Sequence, residues 1–153
     1  MDRREAILAR LFTVAGIPAH TPPFTTRVRN RAMIDPDKRP TFVMLDGTES
    51  EAASQPNRGR VALSPSIMIL RPQLFVLLKT QKPTNETVGQ LLNEYRVAML
   101  KAIGEDPELL ELVGDNGNIR YHGCLTDLQS GSSMEGQMQL NLSLSYPLNP
   151  FEL

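Results

Sequence analysis

The alternation of apolar and polar residues is clearest near the C-terminal end of the chain. From Met138 to Tyr146 every second residue is apolar, a period of two that predicts a strand with one buried face. The intervening side chains are small or amide-bearing, and none is charged: Gln139, Asn141, Ser143 and Ser145. The second face of this strand is therefore polar but uncharged. Such a face tolerates burial at a protein contact better than a charged face would.

Apolar residues at helical spacing predict three helices, over residues 2–15, 84–104 and 106–114. The third has Asp106 as its N-cap, a proline at the first helical position and Gly114 after its end. The second has Thr84 or Asn85 as its N-cap. Its predicted buried stripe consists of Val88, Leu91, Leu92, Tyr95, Met99 and Ala102.

Further strands are predicted at 24–34, 41–47, 61–70, 73–79 and 118–128. The strand at 41–47 ends in an Asp46-Gly47 turn signal. The runs 61–70 and 73–79 are either two strands or one strand bent at Pro72. Residues 48–59 carry almost no large apolar side chain, and they are predicted to form a long mobile loop.

The order of the predicted elements is a helix, several strands, two helices and two strands. This order favours an α+β fold, with a mainly antiparallel sheet, helices packed on one face and a C-terminal β-hairpin. With 153 residues, the chain is expected to form a single domain over 1–153.

Composition favours no particular class of partner. The net charge is −1, so bulk charge favours neither nucleic acid nor an anionic membrane surface. A single cysteine rules out an internal disulfide. No signal peptide and no apolar run near ~18 residues is visible, so we expect a soluble protein that is made in the cytoplasm and has no membrane partner.

Charge is distributed unevenly along the chain. Arg27, Arg29 and Arg31 alternate along one face of the strand at 24–34, whereas the third helix carries Glu108 and Glu111. Patches of opposite sign are what a head-to-tail subunit interface uses. The arginines could instead track phosphates or form a solvated face. Aromatic residues make up 5% of the chain and tryptophan is absent, which argues against a stacking platform for single strands.

Two groups of residues could carry chemistry. His122 and Cys124 lie two apart on one strand and are expected to share a face, as a metal or nucleophile pair would. Zinc requires three or four ligands, and the only other histidine is His20. A buried free cysteine is the alternative.

The second group is a run of carboxylates that a two-metal hydrolase would place at strand ends: Asp35, Asp37, Asp46, Glu49 and Glu51. Turn and loop roles account for all of them. Neither a phosphate-binding glycine loop, a dinucleotide fingerprint nor a nucleophile elbow is present in the sequence. The residues therefore give no ground for predicting an enzyme, a metal or a cofactor.

Residues 147–153 form a proline-bracketed tail, in which Leu148, Phe151 and Leu153 are apolar. Its prolines keep it extended and prevent it from continuing a ladder freely. Such an arm either folds back on its own core or docks on a neighbouring subunit.

The C-terminal third, "NIRYHGCLTDLQSGSSMEGQMQLNLSLSYPLNPFEL", resembles the tail terminator, or tail-completion, proteins of long-tailed bacteriophages. The layout is also similar: an N-terminal helix, a basic strand, a loop, a helix beginning near "TVGQLL" and a C-terminal hairpin. The resemblance implies an α+β fold and a six-fold homo-oligomeric ring on the head-proximal end of the tail tube.

The implied ring stops the addition of tail tube protein and provides the docking surface for the head connector. DNA passes through its lumen without sequence-specific binding, and no reaction is implied. We expect Arg27, Arg29 and Arg31 to face the neighbouring subunit or the lumen. Two alternatives remain open: another head–tail joining protein or a tail tube subunit, and a small metal-dependent hydrolase.

Overall fold

The computed structural model describes residues 2–31, 39–52, 65–80, 85–115, 117–129 and 134–149. Its elements, in chain order, are α1 (Arg3–Ala15), β1 (Thr26–Arg29), β2 (Thr41–Glu51), β3 (Ser66–Thr80), α2 (Asn85–Glu105), α3 (Pro107–Val113), β4 (Asn118–Gln129) and β5 (Met134–Leu148). The predicted order of a helix, strands, two helices and two strands is confirmed.

The five strands form one sheet in the order β1-β2-β3-β5-β4. Only β1 and β2 pair in parallel, while the other three neighbouring pairs are antiparallel. The predicted α+β class with a mainly antiparallel sheet is therefore confirmed, and so is the antiparallel pairing of the last two strands. β5 lies between β3 and β4, so it is an inner strand of the sheet.

The helices cover one face of this sheet. Alternate side chains from Met138 to Tyr146 point into the core, and each is 2% exposed or less, as the period of two predicted. They pack with apolar residues of all three helices. In α2 the buried positions include Val88, Leu92, Tyr95 and Met99. Burial of one such side chain contributes about 1.5–3 kcal/mol.

The caps of α3 follow the sequence prediction. The Asp106 carboxylate accepts a hydrogen bond from the Leu109 backbone N–H at 2.8 Å, Pro107 occupies the first turn, and Gly114 follows the last. The same carboxylate accepts hydrogen bonds from Nε and Nη2 of the Arg10 guanidinium, at 2.9 and 2.6 Å. The hydrogen bonds from Arg10, outweighing the effect of burial, lower the pKa of Asp106. The cap therefore also joins α3 to α1.

β1 is shorter than the strand predicted for 24–34. It ends at Arg29 because Asn30 has a φ of 59°, a left-handed conformation that interrupts an extended strand. The Asn30 backbone N–H still donates to the Met44 carbonyl at 2.7 Å, and its side-chain oxygen accepts from the Asp46 N–H at 2.9 Å. Residues 32–34 of the predicted strand lie outside the described residues.

The prediction of a turn at Asp46-Gly47 is wrong, because β2 continues to Glu51 through a β-bulge. The register with β3 shifts between Leu45 and Thr48. Gly47 has a φ of 72°, and a Cβ there would lie 1.9 Å from the carbonyl oxygen of Arg71 on β3. Glycine is thus required both by the backbone conformation and by the close approach of the neighbouring strand. The first four residues of the predicted 48–59 loop therefore belong to β2, and residues 53–59 lie outside the described residues.

The choice left open at Pro72 is settled in favour of one strand, β3, which runs from Ser66 to Thr80. Pro72 lies opposite the bulge in β2, between the register positions Leu45↔Gln73 and Thr48↔Arg71. Because the ladder is already interrupted there, a residue without an N–H can be accommodated within an inner strand. In the part of the chain that the structure describes, no helix combines the length and the apolar character needed to cross a membrane.

Candidate functional site

The face of the sheet opposite the helices is the candidate functional surface, and we call it the outer face. Because side chains alternate along each strand, the register of the sheet assigns its members. They include Thr41, Val43, Leu45, Thr48, Ser50, Ile67, Ile69, Arg71, Gln73, Phe75, Leu77, Asn118, Arg120, Leu125, Gln137, Gln139, Asn141, Ser143 and Ser145, with the charged Lys79 and Asp127 towards one end. None of them belongs to the core cluster beneath the helices.

The middle of the outer face is poor in charge. Phe75 and Leu77 of β3 are half-buried, and the paired outer residues of β5 are amides and hydroxyls. Gln139 donates to Asn141 along β5 at 2.9 Å. At the β4 edge Leu125 is 66% exposed. The uncharged row predicted for the final strand therefore lies on an inner strand, beside exposed and half-buried apolar side chains.

A small concavity on the outer face combines apolar and basic side chains. It has a volume of about 280 Å³; Ile67 and Ile69 of β3 line one side of it, and Ser143 and Ser145 of β5 lie in its middle. Arg71 lies on one side of it, and Arg120 on the other side pairs with Ser143 across β4 and β5. We call this concavity the basic pocket and include His122 in it, whose Nε2 lies 2.6 Å from the Ser143 hydroxyl oxygen.

The two arginines of the basic pocket are not neutralised by the described residues. Arg71 donates to the Ser50 hydroxyl at 2.5 Å. Within the described ranges, neither Arg71 nor Arg120 lies in an ion pair with a carboxylate. Arg71 and Arg120 lie far apart in the chain, so no local pattern in the sequence predicts that they share a pocket. They are brought together because β5 lies between β3 and β4.

The predicted basic strand is only partly available for contacts. Arg29 is held by two carboxylates: its Nε and Nη2 donate to Asp46 at 2.7 and 2.9 Å, and Nη1 and Nη2 donate to Glu5 at 2.7 and 3.0 Å. We call this arrangement the Arg29 clamp, and it ties β1 to both α1 and β2. Arg27 and Arg31 are exposed. Arg29 therefore stabilises the fold, whereas the exposed side chains of Arg27 and Arg31 are available for contacts with another molecule.

The Arg29 clamp shifts the pKa values of its members. Hydrogen bonds from Arg29 are the main cause that lowers the pKa of Glu5. Burial alone would raise the pKa of Asp46, but hydrogen bonds from Arg29 and Asn30 outweigh it and leave that pKa lowered. The same bonds raise the pKa of Arg29. All three groups are therefore charged at neutral pH.

The predicted acidic residues lie on the exposed side of α3. Glu108 is 62% exposed and approaches Arg10 at 3.1 Å, and Glu111 is exposed. Between them in sequence, Leu110 is 47% exposed. We call these three residues the acidic helix face.

The C-terminal arm is described only at its start. Leu148 is the last residue of β5, pairs with Ser66 of β3 and packs half-buried against the core. This contact agrees with an arm that begins on its own domain. Phe151 lies outside the described residues.

The expectation that His122 and Cys124 share a face is wrong. The register with β5 shifts between Tyr121 and Gly123, and Gly123 has a φ of 115°. Cys124 consequently pairs with Leu140 on the helix side and packs against the core, whereas His122 contacts Ser143 on the outer face. The bulge turns the two side chains apart, so they are not arranged as a metal or nucleophile pair.

The predicted carboxylate group is divided in a similar way. Asp46 belongs to the Arg29 clamp, and Glu49 accepts a hydrogen bond from the Tyr146 hydroxyl. Asp35 and Asp37 lie outside the described residues. Among the residues that are described, no three of His, Cys, Asp and Glu are grouped closely enough to hold a metal ion.

The sequence matches no protein-family model and no curated protein.

Proposed function

We propose that this chain is a structural virion protein of a long-tailed bacteriophage. In this proposal it forms a hexameric ring on the head-proximal end of the tail tube. The ring ends polymerisation of the tube protein and presents a surface to which the head connector docks. DNA passes through the lumen without base-specific contacts, and the chain needs neither a cofactor nor a reaction for this role.

The observation that carries the proposal is the composition of the outer face. An antiparallel sheet with one face on the core usually carries a polar, solvated second face. Here Phe75 and Leu77 on β3 lie beside the uncharged row of β5, and Leu125 is exposed at the edge. Depletion of charge with retained apolar area is characteristic of the centre of a protein contact. This supports a protein that works by assembly.

The resemblance of the C-terminal third to tail terminator proteins is the reason for proposing a ring on the tail tube. The residues that carry it form β4 and β5, and these strands contribute the uncharged row and one side of the basic pocket. The N-terminal helix, the strand with Arg27 and Arg29, the helix that contains "TVGQLL" and the C-terminal hairpin of that layout occur in the same order in the fold, which supports the proposal. The charge pattern adds support, because basic and acidic surfaces occupy different parts of the domain, as a cyclic head-to-tail contact requires.

The position of the protein in the particle tests the proposal. An epitope-tagged chain is supplied to a phage that lacks its own copy, and purified particles are labelled with gold-conjugated antibody for electron microscopy. We expect one label position, at the junction of head and tail. Label along the whole tube would indicate a tube subunit, label on tail-less heads would indicate a head-closure component, and unlabelled particles would exclude a structural role.

A pair of matched variants connects this test to the outer face. Leu125→Arg introduces a charge at an outer-face side chain that is 66% exposed, whereas Val97→Arg introduces the same charge on α2 at a side chain that is 58% exposed. Both positions are solvated, so both variants should fold. We expect Leu125→Arg to reduce labelling of particles and Val97→Arg to leave it unchanged. Equal labelling by the two variants would contradict a role for the outer face.

A further inference from the structure

We propose that the basic pocket of one copy receives the acidic helix face of a second copy. In this contact Leu110 lies against Ile67 and Ile69, and Glu111 pairs with Arg120. This inference rests on the proposed ring, and it names the surfaces that join neighbouring subunits.

The size of the basic pocket favours side chains over a small molecule. Its volume of about 280 Å³ lies below the roughly 300–1,000 Å³ of typical small-molecule sites. A concavity of this size suits one or two side chains inserted from a neighbouring protein surface. Apolar side chains beside arginines are complementary to an apolar group next to an acidic one.

The acidic helix face presents that combination. Leu110 is 47% exposed and Glu111 follows it directly. Leu109 and Val113 are buried on the opposite side of α3 and fix the orientation of the helix against the core. The exposed side of α3 is therefore held as a rigid surface.

Charge complementarity identifies a second copy of this chain as the occupant. The chain carries 16 Lys and Arg against 17 Asp and Glu, so the charges balance overall while these two surfaces have opposite sign. The basic pocket lies on the outer face, and α3 lies in the helical layer on the other side of the sheet. The two surfaces therefore cannot meet within one chain.

The contact joins two different surfaces, so it is heterologous. A heterologous contact closes into a ring when successive copies are related by a suitable rotation. A DNA phosphate is a less suitable occupant, because a phosphate would gain nothing from the apolar side chains of Ile67 and Ile69 on the β3 side. The observations thus favour protein carboxylates over phosphates.

The test is a charge swap measured on the purified full chain. Self-association is measured by sedimentation at low salt for the wild type, Arg120→Glu, Glu111→Arg and the double variant. We expect each single reversal to weaken association by about tenfold or more, since close charge pairs at interfaces are coupled by more than the 1.4 kcal/mol that corresponds to tenfold. The double variant, which restores opposite charges, should recover most of the affinity.

Controls separate this contact from a general effect of charge. Glu94→Lys and Lys101→Glu alter exposed charges on α2, and both should leave association unchanged. Far-UV circular dichroism verifies that every variant is folded. Association of the wild type should also weaken with added salt, because exposed charges are screened.

Several outcomes would overturn the inference. These are wild-type chains that do not associate, single reversals without effect, or a double variant no better than the singles. Arg120→Glu that weakens binding to duplex DNA but not self-association would assign the basic pocket to phosphates. If the swap governs self-association while the protein is absent from particles, the contact stands and the proposed terminator function fails.

Discussion

The Arg29 clamp leads to a prediction that separates the stability of the fold from assembly. Arg29→Met removes the guanidinium and keeps most of the aliphatic stem. The substitution deletes two hydrogen bonds to Asp46 and two to Glu5. It thereby removes the side-chain links from β1 to α1 and to Asp46 of β2, while the backbone pairing of β1 with β2 is kept.

The exposure of the partners determines the magnitude of this effect. The Arg29 and Asp46 side chains are each 22% exposed, so their pair lies in the range of about 1.5–3 kcal/mol for hydrogen bonds to charged groups. Glu5 is 49% exposed, and its screened contribution is below about 1 kcal/mol. We therefore expect a loss of about 2–3 kcal/mol in the free energy of unfolding. In a domain of this size that loss lowers the Tm by roughly 4–12 °C.

The assay is urea unfolding followed by far-UV circular dichroism, because the chain contains no tryptophan for fluorescence. Arg27→Met is the matched control on the same strand, and its exposed charge should contribute less than about 0.5 kcal/mol. Equal midpoints for Arg29→Met and Arg27→Met would refute the reasoning.

The pH dependence of the clamp has a defined sign. The pKa values of Glu5 and Asp46 are lowered in the folded state, so the unfolded chain binds more protons than the folded chain as the pH falls. The stabilisation is therefore present above the unfolded pKa values near 4, and it is lost as the pH falls through the lower folded values. The stability difference between wild type and Arg29→Met should shrink over the same range.

This prediction determines how the basic strand should be tested for assembly. Replacing Arg27, Arg29 and Arg31 together would combine loss of fold stability with loss of any contact to another subunit. Variants of Arg27 and Arg31 alone avoid that problem, because both side chains are exposed. Their role at a neighbouring subunit or the lumen remains a prediction.

Two further predictions concern the backbone and a helix cap. Gly47→Ala should lower the Tm strongly, because its Cβ would overlap the Arg71 carbonyl. Gly104→Ala, in α2 with open space around the added Cβ, should raise stability by up to about 1 kcal/mol; equal Tm changes for the two variants in thermal melts would contradict the bulge geometry. Asp106→Ala should cost about 0.5–2 kcal/mol through the lost cap of α3, and Asp106→Asn, which keeps a cap acceptor, should cost less. The Asn variant should also lose stability less steeply than the wild type below pH 4, since it lacks the carboxyl group whose pKa is lowered; a steeper loss in acid titrations of the unfolding midpoint would contradict this.

The sequence predicted the elements whose signals are local. The period of two in β5 and the caps of α3 depend on neighbouring residues, and both agree with the structure. The predicted order of elements was sufficient to give the α+β class. These predictions are correct because each depends only on residues within one strand or one helix.

Predictions failed where a distant partner decides the local structure. The Asp46-Gly47 pair is a turn signal in isolation, but pairing with β3 on both sides makes it a bulge within β2. Similarly, the bulge in β4, which depends on pairing with β5, places His122 on the outer face and Cys124 on the core side. A one-residue register shift reverses the facing of side chains, and no local pattern records it.

The candidate surface could be predicted only in part. The uncharged row of β5 is visible in the sequence, because it lies within one strand. The basic pocket is not, since Arg71 and Arg120 come from strands that are separated in the chain and joined only through β5. The internal role of Arg29 was also hidden, because Glu5 of α1 is 24 residues away.

The most direct test of the proposed function is the tail-length distribution of a phage from which this gene has been deleted, measured by negative-stain electron microscopy. A ring that terminates the tube predicts over-long or variable tails that are not attached to filled heads, and normal tails when the wild-type gene is supplied in trans. Tails of uniform, normal length lying free beside heads would contradict termination and indicate a joining role on the head side. Intact, infectious particles would contradict the proposed function altogether.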